Sequence, residues 1–531
     1  MPSQKTEFVP VNLSLADICG AAYVEAACRA RGLLAGEDVA GLMALAFEAV
    51  DFFPERFQEH LLSMLDSVGE EIAPALGASA RGASTKAFNA ATKTAMAPLS
   101  ALGCFRLGED GRLYLAAKSE HYHASLGHSF PGYDLIDRAR RLGVPNATHN
   151  NTRGQMTRVL EERLVAAVNG LDVDDRAGLA AVLSENRLDV MNRVLNLETG
   201  SLAVEAALKM ILARFYRMQR ELAEPAYSGK TPVILVIGDD EGGLGGNYHG
   251  TTIITQMMRG MWPELTARLD VAGAIQIRTI RPNSLEDLDA AFAEFEGGFT
   301  KIAGLFHEIV MMNYGGLTLT REFLHHAYDR CAKHDVPVVC DEIQSCIWSS
   351  EIFLFREYGL KPSFVSAGKG FPGGEYPASR IVFSSAMDVN LPQFGALVTN
   401  GQEELASLAY LVTLTWAQAN AGVTKAVGDY YAGRLREVAD RYEGLVTAVE
   451  GHRHMSTLFI EDLESAKAIA SLLVEAGLDI SAQTYKADCP PALLTKLPLI
   501  AGYEVVDCVV DKIDAAMATY TASRAMARGG V

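Results

Sequence analysis

The stretch Val365–Gly374, "VSAGKGFPGG", sets a single lysine, Lys369, among small residues. Small neighbours leave room beside an amine, which a lysine needs in order to form a Schiff base with a flat aldehyde. Asp341, 28 positions earlier, closes the hydrophobic run "VPVVCDEI". An aspartate there can pair with a protonated pyridine nitrogen and make the ring a better electron sink. If the aldehyde is pyridoxal 5'-phosphate, a phosphate holder is also required. "NLETGSLAVEAALKMILARFYRMQ" supplies one, with Thr199, Gly200 and Ser201 before a strong helical pattern. Hydroxyls and N–H groups at a helix start hold an anion. Tyr248 in "GNYHG" has glycines near it that permit close approach to a flat ring. Taken singly, each residue also has a plain structural reading: a turn lysine, a strand-end cap, a Ser/Thr helix cap, a core aromatic.

The elements that must carry these residues follow from the patterning. "TPVILVIG", "KIAGLFHEIV", "VPVVCDEI" and "SRIVFSS" are β-branched runs, and "SLEDLDAAFAEFEGG" and "TREFLHHAYDRCAKHD" are helical segments lying among them. Such alternation predicts a mostly parallel sheet covered by helices, with ligands gathered beyond the carboxyl ends of the strands. Glu308, Asp341 and Lys369 each fall near a predicted strand end, so distant residues can converge there. "MTRVLEERLVAAVNG" predicts a helix ending at Gly170. Beyond Thr399 the chain predicts long helices, the short runs "STLFIEDL" and "ALLTKLPLI", and a closing helix from Val505 to about Ala525.

Composition narrows the class. With 531 residues, 49% hydrophobic and 21% charged, the chain is an ordinary folded protein with room for several structural units. A formal net charge of −18 disfavours a nucleic-acid backbone partner. The eight scattered cysteines form no CxxC, which predicts reduced thiols and a cytoplasmic setting. No run reaches the about 18 apolar residues of a membrane span, and the N-terminus lacks a secretion pattern. "SGKT" at Ser228–Thr231 is no P-loop, since Glu224 stands where the first glycine belongs. The histidines of "EHYH", His128 and His149 lack metal-site spacing, and no metal is expected.

Read in order, these motifs resemble those of the class III aminotransferases, fold type I pyridoxal-phosphate enzymes, from about Leu113 to near the C-terminus. The resemblance implies an α/β fold with a smaller α+β unit built from both chain ends. Broken helical periodicity predicts a helical extension over 1–100, and the domains expected beyond it are the N-terminal part of the small domain over 101–165, a large cofactor-binding domain over 166–400, and linking helices with the C-terminal small domain over 401–531. The resemblance also implies Lys369 as the Schiff-base lysine, Asp341 on the pyridine nitrogen and Gln344 near the phenolic oxygen. Gly200 and Ser201 are implied on the phosphate, Tyr248 of Tyr248-His249-Gly250 on the ring, and Glu308 as the surviving carboxylate of a Glu-Pro pair. Thr399 is implied to reach the cofactor of a neighbouring subunit in a homodimer or larger homo-oligomer. His128 stands in the Gly-His turn.

The expected reaction moves an amino group between an amine or amino acid and an oxo acid. Racemase, epimerase or aminomutase chemistry, and a non-catalytic scaffold, are the alternatives. Three departures bear on the choice. Leu202 replaces a usual glutamate, Ile309 replaces proline after Glu308, and "PPALLTKLPLI" lacks the arginine that often precedes Pro-Pro-Leu and binds a substrate α-carboxylate. Lys496 lies near that place and is expected not to match it.

Overall fold

The structure, a computed structural model, describes residues 5–118, 123–239, 245–389, 391–392, 395, 398, 401–483 and 489–529. Helices Leu15–Cys19, Ala21–Ala35, Val39–Phe47 and Glu55–Ser63 open the chain. A small antiparallel sheet follows, made of β1 (Pro98–Leu102), β2 (Phe105–Gly108) and β3 (Leu113–Leu115). Helix α1 (Gln155–Asn169) then stops at Gly170, whose φ of 70° is the left-handed conformation that a helix C-cap favours and glycine adopts without strain.

The centre is a seven-stranded sheet. Its strands are β4 (Arg193–Leu197), β5 (Thr231–Ile237), β6 (Gln276–Ile280), β7 (Thr300–His307), β8 (Val338–Asp341), β9 (Phe364–Ala367) and β10 (Ser379–Phe383). The order across the sheet is β4-β10-β9-β8-β7-β5-β6, and β10 alone pairs antiparallel with its neighbours. The inner strands are buried nearly throughout, which explains why "VILVI" and "IAGLF" read as continuous apolar runs: both faces are covered, so alternation is lost. Helix α2 (Gly200–Leu212) packs Ala203, Val204, Ala207 and Ile211 on one face, against Ile234, Val339 and Phe364.

Helix α3 (Glu404–Ala419) is buried along almost its whole length, and α4 (Ala421–Arg441) leads out of it. The C-terminal unit is an antiparallel sheet, β11 (Val446–His452), β12 (Met455–Ile460), β13 (Ser481–Ala482) and β14 (Ala492–Leu494), in the order β11-β12-β14-β13. Helix α5 (Tyr503–Gly529) closes the chain. The early sheet joins this unit: Leu115 N donates to Gly477 O at 2.8 Å, and Asp479 N donates to Leu115 O at 2.9 Å. Both ends of the chain therefore build one smaller α+β body beside the parallel sheet, as the fold class required. Among the described residues no helix is long and apolar enough to cross a membrane.

Candidate active site

Parallel strands expose their carboxyl ends on one edge, and the sheet order makes β7, β8 and β9 adjacent there. Glu308 follows β7, Asp341 ends β8, and Lys369 lies two residues past β9. All three line one cavity of about 330 Å³, together with Gly200, Ser201, Tyr248, His249, Gln344 and His123. The residues selected by type and spacing are thus assembled by strand register, apart from Thr399, which lies outside the described residues.

Asp341 is buried and its carboxylate is fully engaged. His249 Nδ1 lies 2.9 Å from Oδ2, while Ser366 Oγ and, at 3.2 Å, Ile343 N donate to Oδ1. Burial alone would favour the neutral acid, yet these partners outweigh it and hold Asp341 below its ordinary range. Asp341 is therefore a fixed anion. The next residue, Glu342, does the opposite job: it accepts from Leu354 N at 2.8 Å and Phe355 N at 2.6 Å, securing a short helix away from the cavity. The "DE" pair thus splits into one carboxylate for the site and one for the scaffold.

Glu308 is buried, and burial reinforced by the Asp341 charge pushes its carboxyl up to about 7. Gln344 Nε2 donates to its Oε1 at 3.2 Å. Glu308 Oε2 and Gln344 Oε1 are both buried and make no hydrogen bond of ordinary geometry among the described residues, although the Asn247 amide lies near Glu308. Buried polar atoms left short of partners at a cavity wall are completed by water or by a polar ligand.

Lys369 holds a φ of +46°, a left-handed conformation costly for a side chain with a Cβ and of the kind found where function over-determines the backbone. Burial lowers the proton affinity of its amine, and the Glu308 and Asp341 carboxylates work against that shift. Its neighbour Gly368 sits close-packed, because a Cβ there would stand 2.3 Å from Ser379 Oγ and 2.5 Å from Ile343 Cδ1, and both side chains would have to move.

The start of α2 borders the same cavity through Thr199, Gly200 and Ser201. Thr199 caps α2, its Oγ1 accepting from Ser201 N at 3.2 Å, and Ser201 Oγ accepts from Thr251 N at 3.1 Å. Gly250, with φ of +142°, brings the Tyr248 loop so close that a Cβ would lie 2.9 Å from Ser201 Cα. Tyr248 is half-buried, with the Arg259 guanidinium 5.3 Å from its ring centre.

Sequence reasoning placed His249 only within a motif and left Ser366 unremarked, although both hold Asp341. The signal for Ser366 was its position on the strand beside Asp341, readable once Asp341↔Ser366 register is known. Lys496, set aside as a carboxylate binder, is wholly buried and its ammonium donates to Gln344 O. His128 exchanges main-chain bonds with Gly103 at 2.8 and 2.9 Å, His149 caps a surface turn, and no metal-binding cluster occurs among the described residues. All eight cysteines are free thiols.

The profile of the family described as Aminotransferase class-III matches residues 89–513. The chain belongs to the class III aminotransferase family. Its relatives include a diaminobutyrate–2-oxoglutarate transaminase of Nocardia farcinica, 24% identical over 72% of this chain and 87% of the relative. An ornithine aminotransferase of Emericella nidulans is 22% identical over 76% of this chain and 83% of that one. Among solved structures, a transaminase from a marine Virgibacillus superposes with a TM-score of 0.66 at 16% identity, covering 84% of this chain and 97% of that one. An ornithine aminotransferase of Toxoplasma gondii gives 0.63 at 16%, covering 80% and 91%. Class III aminotransferases use pyridoxal phosphate, and the cavity of this member suits it: a fixed anion, a lysine, buried polar atoms short of partners on one wall and a helix start surround a single space.

Proposed function

We propose that this class III aminotransferase carries out its chemistry at the cavity below β7, β8 and β9, moving an amino group between an amine or amino acid and an oxo acid. The observation that carries the reading is the convergence of Lys369 and Asp341, from two adjacent strand ends, on the space in front of the Gly200–Ser201 helix start.

In this reading Lys369 would hold the cofactor aldehyde, Asp341 the pyridine nitrogen and Gly200 with Ser201 the phosphate. Tyr248 would cover the ring, and Gln344 and Glu308 would face its phenolic oxygen. Bound pyridoxal phosphate supplies an electron-withdrawing ring joined to the substrate amine. Asp341, held ionised by His249, Ser366 and Ile343 N–H, would favour a proton on the pyridine nitrogen. Lys369 Nζ would take up and return a proton; burial favours the neutral amine needed for the first of these acts. Glu308, near its midpoint at neutral pH, balances the charge beside Gln344.

The named substrates of the relatives, ornithine and diaminobutyrate, carry two amino groups, so diamino acids with 2-oxoglutarate as acceptor are the first substrates to assay. We propose 166–400 as the cofactor-binding domain, 101–165 and 401–531 as the small domain with its linking helices, and 1–100 as a helical extension. A homodimer in the cytoplasm is part of the same reading, with Thr399 serving the partner's cofactor. The exposed Ile253 and Trp262, just beyond the Tyr248 loop, supply apolar surface that a second copy would cover.

The deciding experiment reduces cofactor-loaded protein with borohydride and maps the labelled peptide. Label on Lys369 and its loss in Lys369→Ala are expected; label elsewhere overturns the assignment. A panel of amines with 2-oxoglutarate then reads transfer as glutamate formed. Solvent deuterium entering the amine without oxo product would replace transfer by epimerisation.

A further inference from the structure

Lys496 follows β14 in the C-terminal unit and is wholly buried. Its ammonium donates to the main-chain carbonyl of Gln344 and lies 3.5 Å from the centre of the Trp348 ring. Other bonds fasten the same short stretch. Lys496 N donates to Ala117 O at 2.8 Å, Trp348 Nε1 to Leu497 O at 2.9 Å, and Leu499 N to Ser125 O at 2.8 Å. Ser125 Oγ in turn donates at 2.5 Å to the carbonyl of Gly370, the residue after Lys369. Residues 496–499 therefore tie together the chain around the cavity residue His123, the chain after Asp341 and the chain after Lys369.

A buried amine is costly, and an apolar side chain of the same length would fill the space without that cost. Burial pushes Lys496 well below the ordinary lysine range; Cys346 and Glu308 favour its charge, and Lys369 opposes it. What the amine supplies and a methionine cannot is a donor for Gln344 O. Gln344 is the residue whose side chain holds Glu308 at 3.2 Å on the cavity wall.

We propose that Lys496 is a positioning residue of the active site. From the C-terminal unit it fixes the backbone of Gln344, and through it the Gln344–Glu308 pair that faces the cofactor. It does not line the cavity and so is not a substrate-carboxylate ligand. The inference rests on reading the cavity as the pyridoxal-phosphate site.

The test compares wild type, Lys496→Met and Lys496→Gln by equilibrium dialysis of pyridoxal phosphate and by the pH midpoint of the visible absorption of the bound cofactor. Loss of a donor to a buried carbonyl predicts about tenfold weaker cofactor binding in Lys496→Met. The midpoint should shift, since the Gln344–Glu308 pair beside Lys369 is no longer held in place. Lys496→Gln, which keeps an N–H donor, should fall between the two. A Lys496→Met protein with wild-type affinity and midpoint, altered only in melting temperature, overturns the inference while leaving the cofactor reading intact. A wild type that binds no cofactor sinks both. If Lys496→Met does not fold, Trp348→Phe decides: a midpoint shifted from wild type supports the role, and an unchanged midpoint and affinity overturn it.

Discussion

His249 Nδ1 stands 2.9 Å from Asp341 Oδ2, and both side chains are sealed from solvent. A carboxylate in such a place stays ionised through its partners and not through water, so the imidazole governs the charge that the pyridine nitrogen meets. Replacing His249 with Leu removes that partner and leaves the buried carboxylate with Ser366 Oγ and Ile343 N. Cofactor affinity is expected to fall by about ten- to a hundredfold, from a charged hydrogen bond of about 1.5–3 kcal/mol. His249→Asn, which retains a donor, should recover part of it. Dialysis of pyridoxal phosphate from each variant checks this.

Glu308 gives a pH dependence with a defined sign. Its carboxyl rises from an ordinary 4.5 to about 7 in the fold, so between those values the native chain keeps a proton that the unfolded chain has lost. Its contribution to stability is full below 4.5 and is lost as pH rises through about 7. Urea melts of the cofactor-free protein should show wild type losing stability relative to Glu308→Gln across that window. Equal slopes for the two proteins would refute the shift.

Gly250 tests the backbone approach behind the cradle. Alanine there meets both a φ of +142° and a contact of 2.9 Å with Ser201 Cα, neither of which a rotamer change relieves. Gly250→Ala is expected to cost about 1–3 kcal/mol of stability. It should weaken phosphate binding as well, read as the loss of inorganic-phosphate protection against thermal unfolding.

Glu404 tests the scaffold. Its buried carboxylate accepts from Gly154 N at 3.0 Å, Met156 N at 2.8 Å and Thr157 Oγ1 at 2.6 Å, and so caps α1 from a helix about 250 residues away in sequence. Glu404→Gln can accept at one oxygen only, and is expected to lose about 1.5–3 kcal/mol. Chemical denaturation should show the loss, with cofactor affinity per folded molecule unchanged.

Much of the site was legible because its chemistry is carried by short local patterns. A small-residue surround for Lys369, an acid ending a hydrophobic strand, and Thr199-Gly200-Ser201 before an apolar helical period are each written within ten residues. Their convergence could also be anticipated, since a parallel sheet puts the ends of its strands on one edge. The partners of Asp341 were not legible in the same way. Ser366 and His249 reach it across strand register and loop closure, and neither spacing in sequence encodes a distance in space. Lys496 is the clearest case: near the cavity by sequence comparison, it proves to face a carbonyl and a tryptophan ring behind the wall.

Sequence by itself pointed to the element types, the cofactor class and the residues that converge on one cavity, because hydrophobic periodicity, helix capping and amine reactivity are local properties. Tertiary structure alone decided which carboxylate is a fixed anion, which is poised near neutrality and which buried amine lies behind the wall. Those assignments depend on burial and on partners brought from far along the chain, and the cost of an unpaired charge in a dry interior makes them.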